Sequence, residues 1–92
     1  MSVTVRLYGA FSEFAGGARR AAVEGATVRD ALEELVTTHP SLRERLRDER
    51  GRFRQHLNVY VNKDDLRDLG GDGAAIRDGD VIHLIPAVSG GR

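Results

Sequence analysis

At 92 residues the chain is one domain, long enough for a single modest core and too short for two. Hydrophobic residues make up 40% and charged residues 30%, a globular balance rather than a disordered one. The 14 basic and 14 acidic residues cancel, which argues against nucleic acid or a membrane surface as the main partner, and the absence of cysteine excludes disulfides, thiolate metal sites and a Cys nucleophile.

Val3-Thr4-Val5-Arg6-Leu7 alternates with period two and predicts a first strand with Val3, Val5 and Leu7 on one face. The segment after it, carrying Phe11 and Phe14, reads as a loop. Gly16-Gly17 signals a turn, and Arg19 to Glu24 returns as a hairpin partner. Thr27, with Asp30 three positions on, is the N-cap of a helix whose stripe is Val28, Ala31, Leu32 and Leu35 and which ends near Thr38, before Pro40. Ser41 with Glu44 repeats the capping pattern and predicts a short second helix to about Arg47, anchored by Leu42 and Leu46.

Asp48 to His56 is charged, contains Gly51 and reads as a solvated connection. Leu57 to Asn62 predicts a strand with Leu57, Val59 and Val61 inward. Asp64-Asp65 and Gly70-Gly71-Asp72-Gly73 mark turns, with Leu66, Leu69 and Ile76 as satellite core anchors. Asp78-Gly79-Asp80 is a tight turn into a last strand, Val81 to Ile85, with Ile82 and Leu84 on one face and His83 and Ile85 on the other. This order predicts an α+β fold, a mixed sheet wrapped around one main helix, with the first and last strands central and parallel.

Other chemistry is hard to find. His39, His56 and His83 lack metal-ligand spacing, so no metal site is expected. The glycine-rich turn lacks the Lys-Ser/Thr of a phosphate loop, and the aspartates lack a calcium-loop pattern. Arg43, Arg45, Arg47, Arg50, Arg52 and Arg54 form a charged ridge that Glu44, Asp48 and Glu49 interrupt; a salt-bridged, solvated segment explains it better than a nucleic-acid surface. No nucleophile, base and orienting group assemble, so no catalytic residue is expected. No segment resembles a signal peptide or spans a bilayer, which points to a cytoplasmic protein with no membrane partner.

The final residues, Pro86-Ala87-Val88-Ser89-Gly90-Gly91-Arg92, are the most informative. Two consecutive glycines let a backbone enter a narrow cleft, as presentation of a terminal carboxyl to an enzyme requires; the plain alternative is a frayed end. His83 and Ile85 lie beside this tail as a candidate docking surface; Phe11 and Phe14 either extend it or cap the core, with core packing favoured for at least one of them.

Asn58-Val59-Tyr60-Val61-Asn62, the Asp-Asp that follows, Ala75 to Asp80, and Leu84-Ile85-Pro86-Ala87-Val88-Ser89-Gly90-Gly91 resemble the ubiquitin-like sulfur carrier family, over essentially the whole chain. That family includes the small subunit of molybdopterin synthase and the thiamine and cysteine-biosynthesis carriers, and the resemblance runs toward the last of these. It implies a β-grasp domain over residues 1–86 and a tail over residues 87–92. It also implies a Gly90-Gly91 terminus whose carboxyl group is adenylated and converted to a thiocarboxylate. Such a chain is a protein co-substrate rather than an enzyme. It binds no cofactor itself, ATP being used by an adenylating partner that resembles the ubiquitin-activating enzyme. A sulfur-acceptor synthase is the second partner, and His83, Ile85, Pro86, Val88 and Phe11 are the docking candidates.

Arg92 departs from the pattern, because an amide at Gly91 blocks adenylation. It is either removed by a peptidase or a cloning remnant. A ubiquitin-like modifier joined to lysines and an inert β-grasp module remain the alternative readings.

Overall fold

The alternation of Val3, Val5 and Leu7 produces the first strand of the computed structural model, β1 (Ser2–Leu7), and turns those three side chains into the core. The structure describes residues 2–87. The elements that follow are α1 (Ala10–Phe14), β2 (Arg20–Glu24), α2 (Val28–Thr38), a 3₁₀ turn at Pro40–Leu42, α3 (Arg43–Leu46), β3 (Leu57–Val61), β4 (Asp64–Asp65), a second 3₁₀ turn at Leu66–Leu69, and β5 (Val81–Pro86).

The five strands form one mixed sheet in the order β2-β1-β5-β3-β4. β5 is central, parallel to β1 with Val5 beside Ile82, and antiparallel to β3 with Val59 beside Leu84. The parallel pairing of first and last strands is therefore as expected. β2 closes one edge antiparallel to β1, from Ser2↔Glu24 to Arg6↔Arg20.

α2 begins where the sequence predicts: the Thr27 hydroxyl accepts a hydrogen bond from the Asp30 amide at 3.2 Å, satisfying one of the first-turn donors. Its stripe of Val28, Ala31, Leu32, Leu35 and Val36 is buried and joins the inward faces of the strands in one apolar cluster. No polar or charged side chain is buried among the described residues. Apolar burial therefore holds the fold, at about 25 cal/mol per Å².

Five expectations need correction. The segment after β1 is not a loop; its single helical turn α1 carries Phe11 into the core at 5% exposure, and Phe11 presents nothing to a docking partner. Ser41 caps no helix: Pro40, whose fixed φ suits a first turn, starts a 3₁₀ turn, and α3 begins only at Arg43. Leu69 is 39% exposed; Leu66, three residues earlier, takes the core position. Asp64-Asp65 is a short strand against Val61 and Tyr60, and the turn lies before it at Asn62 and Lys63. The connection from Asp48 to His56 is also more ordered than expected. Arg47 and Phe53 bridge, Asp48 accepts the Arg50 and Arg52 amides at 2.9 and 3.0 Å, and Phe53 packs against the core.

Candidate docking face and C-terminal exit

Because β-strand side chains alternate, the residues between the core positions of the sheet share its outer surface. The pairings set Arg20, Arg6, His83 and Tyr60 in a single row across β2, β1, β5 and β3. One step toward the C-terminus of β5, Ile85 lies opposite Asn58. A shallow groove of about 410 Å³ runs between Asn58, Tyr60, Asn62, His83 and Ile85. His83 and Ile85 thus lie together on the outward face, as the alternation predicts, and each is half-buried.

His83 is fixed by a residue the sequence reading did not single out. The Tyr8 hydroxyl and His83 Nδ1 are hydrogen-bonded at 2.8 Å, with the rings 5.8 Å apart. The Arg6 guanidinium lies 5.9 Å from the centre of the Tyr8 ring. Partial burial, and behind it the charge of Arg6, lowers the His83 pKa below its ordinary 6.5, so the ring is neutral at pH 7. The 75-residue separation hides this pair from any local motif.

The chain leaves the sheet at a defined point. Pro86 pairs with Leu57, and the Ala87 amide donates to the His56 carbonyl at 2.8 Å. Gly9, at φ +57°, lies directly against Pro86: a Cβ there would sit 3.0 Å from the proline Cγ. Its positive-φ backbone, with ψ −133°, ends β1 and lets the chain turn into α1 under the exit. Val88, Gly90, Gly91 and Arg92, all singled out from the sequence, lie outside the described residues.

Four arginines of the ridge, Arg43, Arg45, Arg47 and Arg54, have local partners. Arg47 and Arg29 both bond Asp72, each at 2.8 Å, and Arg43 lies 3.6 Å from Glu33. Arg54 Nε donates to the Glu44 carbonyl at 2.9 Å, while Arg45 and Arg47 stack on Phe14 and Phe53. Burial alone would raise the Asp72 pKa; the two guanidinium groups together outweigh it and hold the carboxyl below its usual value. The glycine-rich turn that carries Asp72 is thus a clasp between α2 and α3. Among the described residues, no helix is long and apolar enough to cross a membrane, and no three His, Asp or Glu side chains are grouped to hold a metal ion.

Comparison with known proteins agrees with this architecture. The ThiS family model matches residues 5–91. The sulfur carrier protein CysO of Mycobacterium tuberculosis is 34% identical over 93 residues, covering 99% of this chain and 100% of the relative. Small archaeal modifier protein 1 of Haloferax volcanii is 39% identical over 88 residues, covering 94% and 97%. In the crystal structure of the Amycolatopsis orientalis BexX/CysO complex, the matching chain superposes with a TM-score of 0.87 at 35% identity, covering 97% of this chain and 99% of that one. The fold is the β-grasp, and with the match running through nearly every residue the chain belongs to the ThiS family of ubiquitin-like sulfur carriers and small modifiers.

Proposed function

We propose that this chain is a sulfur carrier consumed and regenerated as a co-substrate, with the Gly91 carboxyl group as the atom carrier. A carboxylate resists nucleophiles because its charge repels them. An ATP-using adenylating partner joins it to AMP with release of pyrophosphate. Hydrosulfide then forms the C–S bond as AMP leaves; where a partner's persulfide attacks instead, a second thiol cleaves the acyl disulfide, freeing the thiocarboxylate and leaving as a disulfide with the partner's sulfur. The resulting thiocarboxylate donates its sulfur to an acceptor synthase in cysteine or molybdopterin biosynthesis. Arg92 has to be hydrolysed from Gly91 first, by a peptidase, since the amide holds the acyl carbon.

One observation carries the reading: the family match extends into the Gly90-Gly91 segment, directly beyond the central strand of a β-grasp body. In this scheme the body supplies docking and the tail supplies reach, so the reacting carbon is delivered rather than diffusing freely. Partners dock on the outer face, on Ile85, His83 and Pro86 with Tyr8 and Asn58 beside them, and Val88 extends that contact along the tail. The CysO of Amycolatopsis orientalis is solved in complex with BexX, which supports docking of this chain on a partner protein.

The test is intact mass after incubation of a chain ending at Gly91, and of one ending at Arg92, with ATP, the adenylating partner and sulfide. Exchange of one oxygen for sulfur in the Gly91 form alone is the expected result. No exchange in either form, with a competent partner, overturns the proposal. The 39% identity to a small archaeal modifier favours a second fate, isopeptide transfer of the same activated carbonyl to lysines. High-mass adducts in cells separate that fate from sulfur delivery.

A further inference from the structure

Arg6 and Arg20 are exposed, and their Cα atoms face each other across the β1–β2 pair. Directly opposed side chains in an antiparallel pair have Cβ atoms about 5 Å apart, where like charges repel. No carboxylate among the described residues lies within ion-pair distance of either guanidinium. This contrasts with Arg29, Arg43, Arg47 and Arg67, which all have acidic partners. The acids elsewhere on the sheet are placed away from the pair. Glu24 stands at the far end of β2, opposite Ser2, and Asp65 is held by Arg67 beyond Tyr60.

His83 completes the row next to Arg6, and this cationic end of the sheet adjoins Tyr8, Ile85 and the exit at Pro86. A repulsive pair kept beside the exit is a cost to the free fold. A partner can convert it to a gain by supplying negative charge.

We infer that the Arg6–Arg20 pair is an electropositive docking strip for an acidic protein segment of the adenylating partner, which it orients over His83 and Ile85 as the tail enters that partner's cleft. This rests on the sulfur-carrier reading and gives the docking partner a chemistry. Guanidinium groups bind carboxylates through paired N–H donors, and exposed charges act mainly on encounter rate and register, so the contact is salt-sensitive.

Two measurements test it. The ¹⁵N-labelled chain is titrated with a hexaglutamate peptide, and separately with hexaglutamine, at low and high salt. Hexaglutamate should shift the amides of Arg6, Arg20, His83 and Ile85, with the effect lost at high salt and absent with hexaglutamine. An equal response to the neutral peptide, or shifts confined to the ridge from Arg43 to Arg54, overturns the inference. In the sulfur-loading assay, Arg20→Glu should slow loading about tenfold, the equivalent of one lost charge-assisted contact. The same substitution should leave the Tm equal or higher, because it relieves the repulsion with Arg6. Unchanged loading by a folded Arg20→Glu chain overturns the strip while leaving the carrier reading intact. Absence of loading in the unaltered chain instead removes the carrier reading, and the peptide titration still decides the strip.

Discussion

Arg47 and Asp72, 25 residues apart, are joined by a 2.8 Å charge-assisted hydrogen bond with both side chains less than one-fifth exposed. The same carboxylate binds Arg29 on the first turn of α2, and the Asp72 backbone carbonyl accepts the Arg29 amide at 2.8 Å. Asp72→Ala leaves two guanidinium groups without their shared acceptor. Removal of a hydrogen-bonded partner from a charged group costs about 1.5–3 kcal/mol, and solvent screening of the well-exposed Arg29 brings the expectation to about 1–2 kcal/mol. For a domain of this size that is a Tm loss of roughly 5–15 °C. Arg67→Ala, which removes a mostly exposed arginine and breaks one pairing rather than two, should move the Tm much less. Thermal melts of the two variants side by side check the ordering.

The acidic groups set the low-pH limit. The side-chain and backbone hydrogen bonds from Arg67 hold Asp65 at about 2, against an ordinary 3.8, and Asp48, Asp72 and Asp80 are also lowered. A depressed carboxylate binds its proton later in the folded state than in the unfolded one. Its contribution is therefore fully present above pH 3.8 and is lost as the pH falls toward 2. His83 acts in a higher window. Its folded pKa lies below 6.5, so the unfolded chain takes up that proton first, and stability declines as the pH falls through 6.5. Between pH 7.5 and 5.5 the Tm should drop, and His83→Gln should flatten that part of the profile. A drop of the same size in the variant refutes the assignment to His83.

The elements visible in the sequence are those whose periodicity runs long enough to be read. Val3-Val5-Leu7, the α2 stripe, Leu57-Val59-Val61 and Ile82-Leu84 each repeat a core face, and each forms as expected. α1 escaped because five residues hold barely one helical period and Gly9 offers no side-chain cap. Ser41 misled because Pro40 begins a 3₁₀ turn one residue earlier, which leaves Leu42 as the residue before α3. The outward position of His83 and Ile85 was legible from alternation alone. Tyr8, Gly9 and Asp72 were not, because their partners, His83, Pro86 and Arg47, are brought near only by tertiary structure.

Gly9 offers a test of how firmly the exit is positioned. Alanine there must adopt a positive-φ backbone that glycine alone takes readily, and place its Cβ 3.0 Å from Pro86 Cγ. The strained backbone costs about 1–2 kcal/mol. The contact is with the flexible edge of a ring, so it should displace Pro86 rather than unfold the sheet. Gly9→Ala is expected to lower the Tm and to shift the amides of Ile85 and Ala87. Pro86→Ala in the same chain should restore part of the Tm, since it removes the clash and not the backbone strain. Purely additive effects of the two substitutions exclude this coupling.

The two isoleucines of β5 separate folding from docking within four residues. Ile82 is fully buried between β1 and β3 on the core face, and Ile85 lies on the outer face beside His83 and the exit. Truncating a fully buried isoleucine removes its transfer free energy and leaves a cavity, so Ile82→Ala should cost about 2–5 kcal/mol and depress the Tm steeply. Ile85→Ala opens no cavity; on the half-exposed outer face its cost should stay below about 1 kcal/mol. Its effect should fall instead on sulfur loading of the chain ending at Gly91, through a raised KM for the carrier with little change in the rate at saturation. That pattern marks a lost binding contact, because the carbonyl that reacts is untouched. If Ile85→Ala lowers the saturated rate and leaves KM alone, the outer face near the exit acts after docking, in placing the tail. An unchanged KM and rate together assign the outer face of β5 no part in recognition.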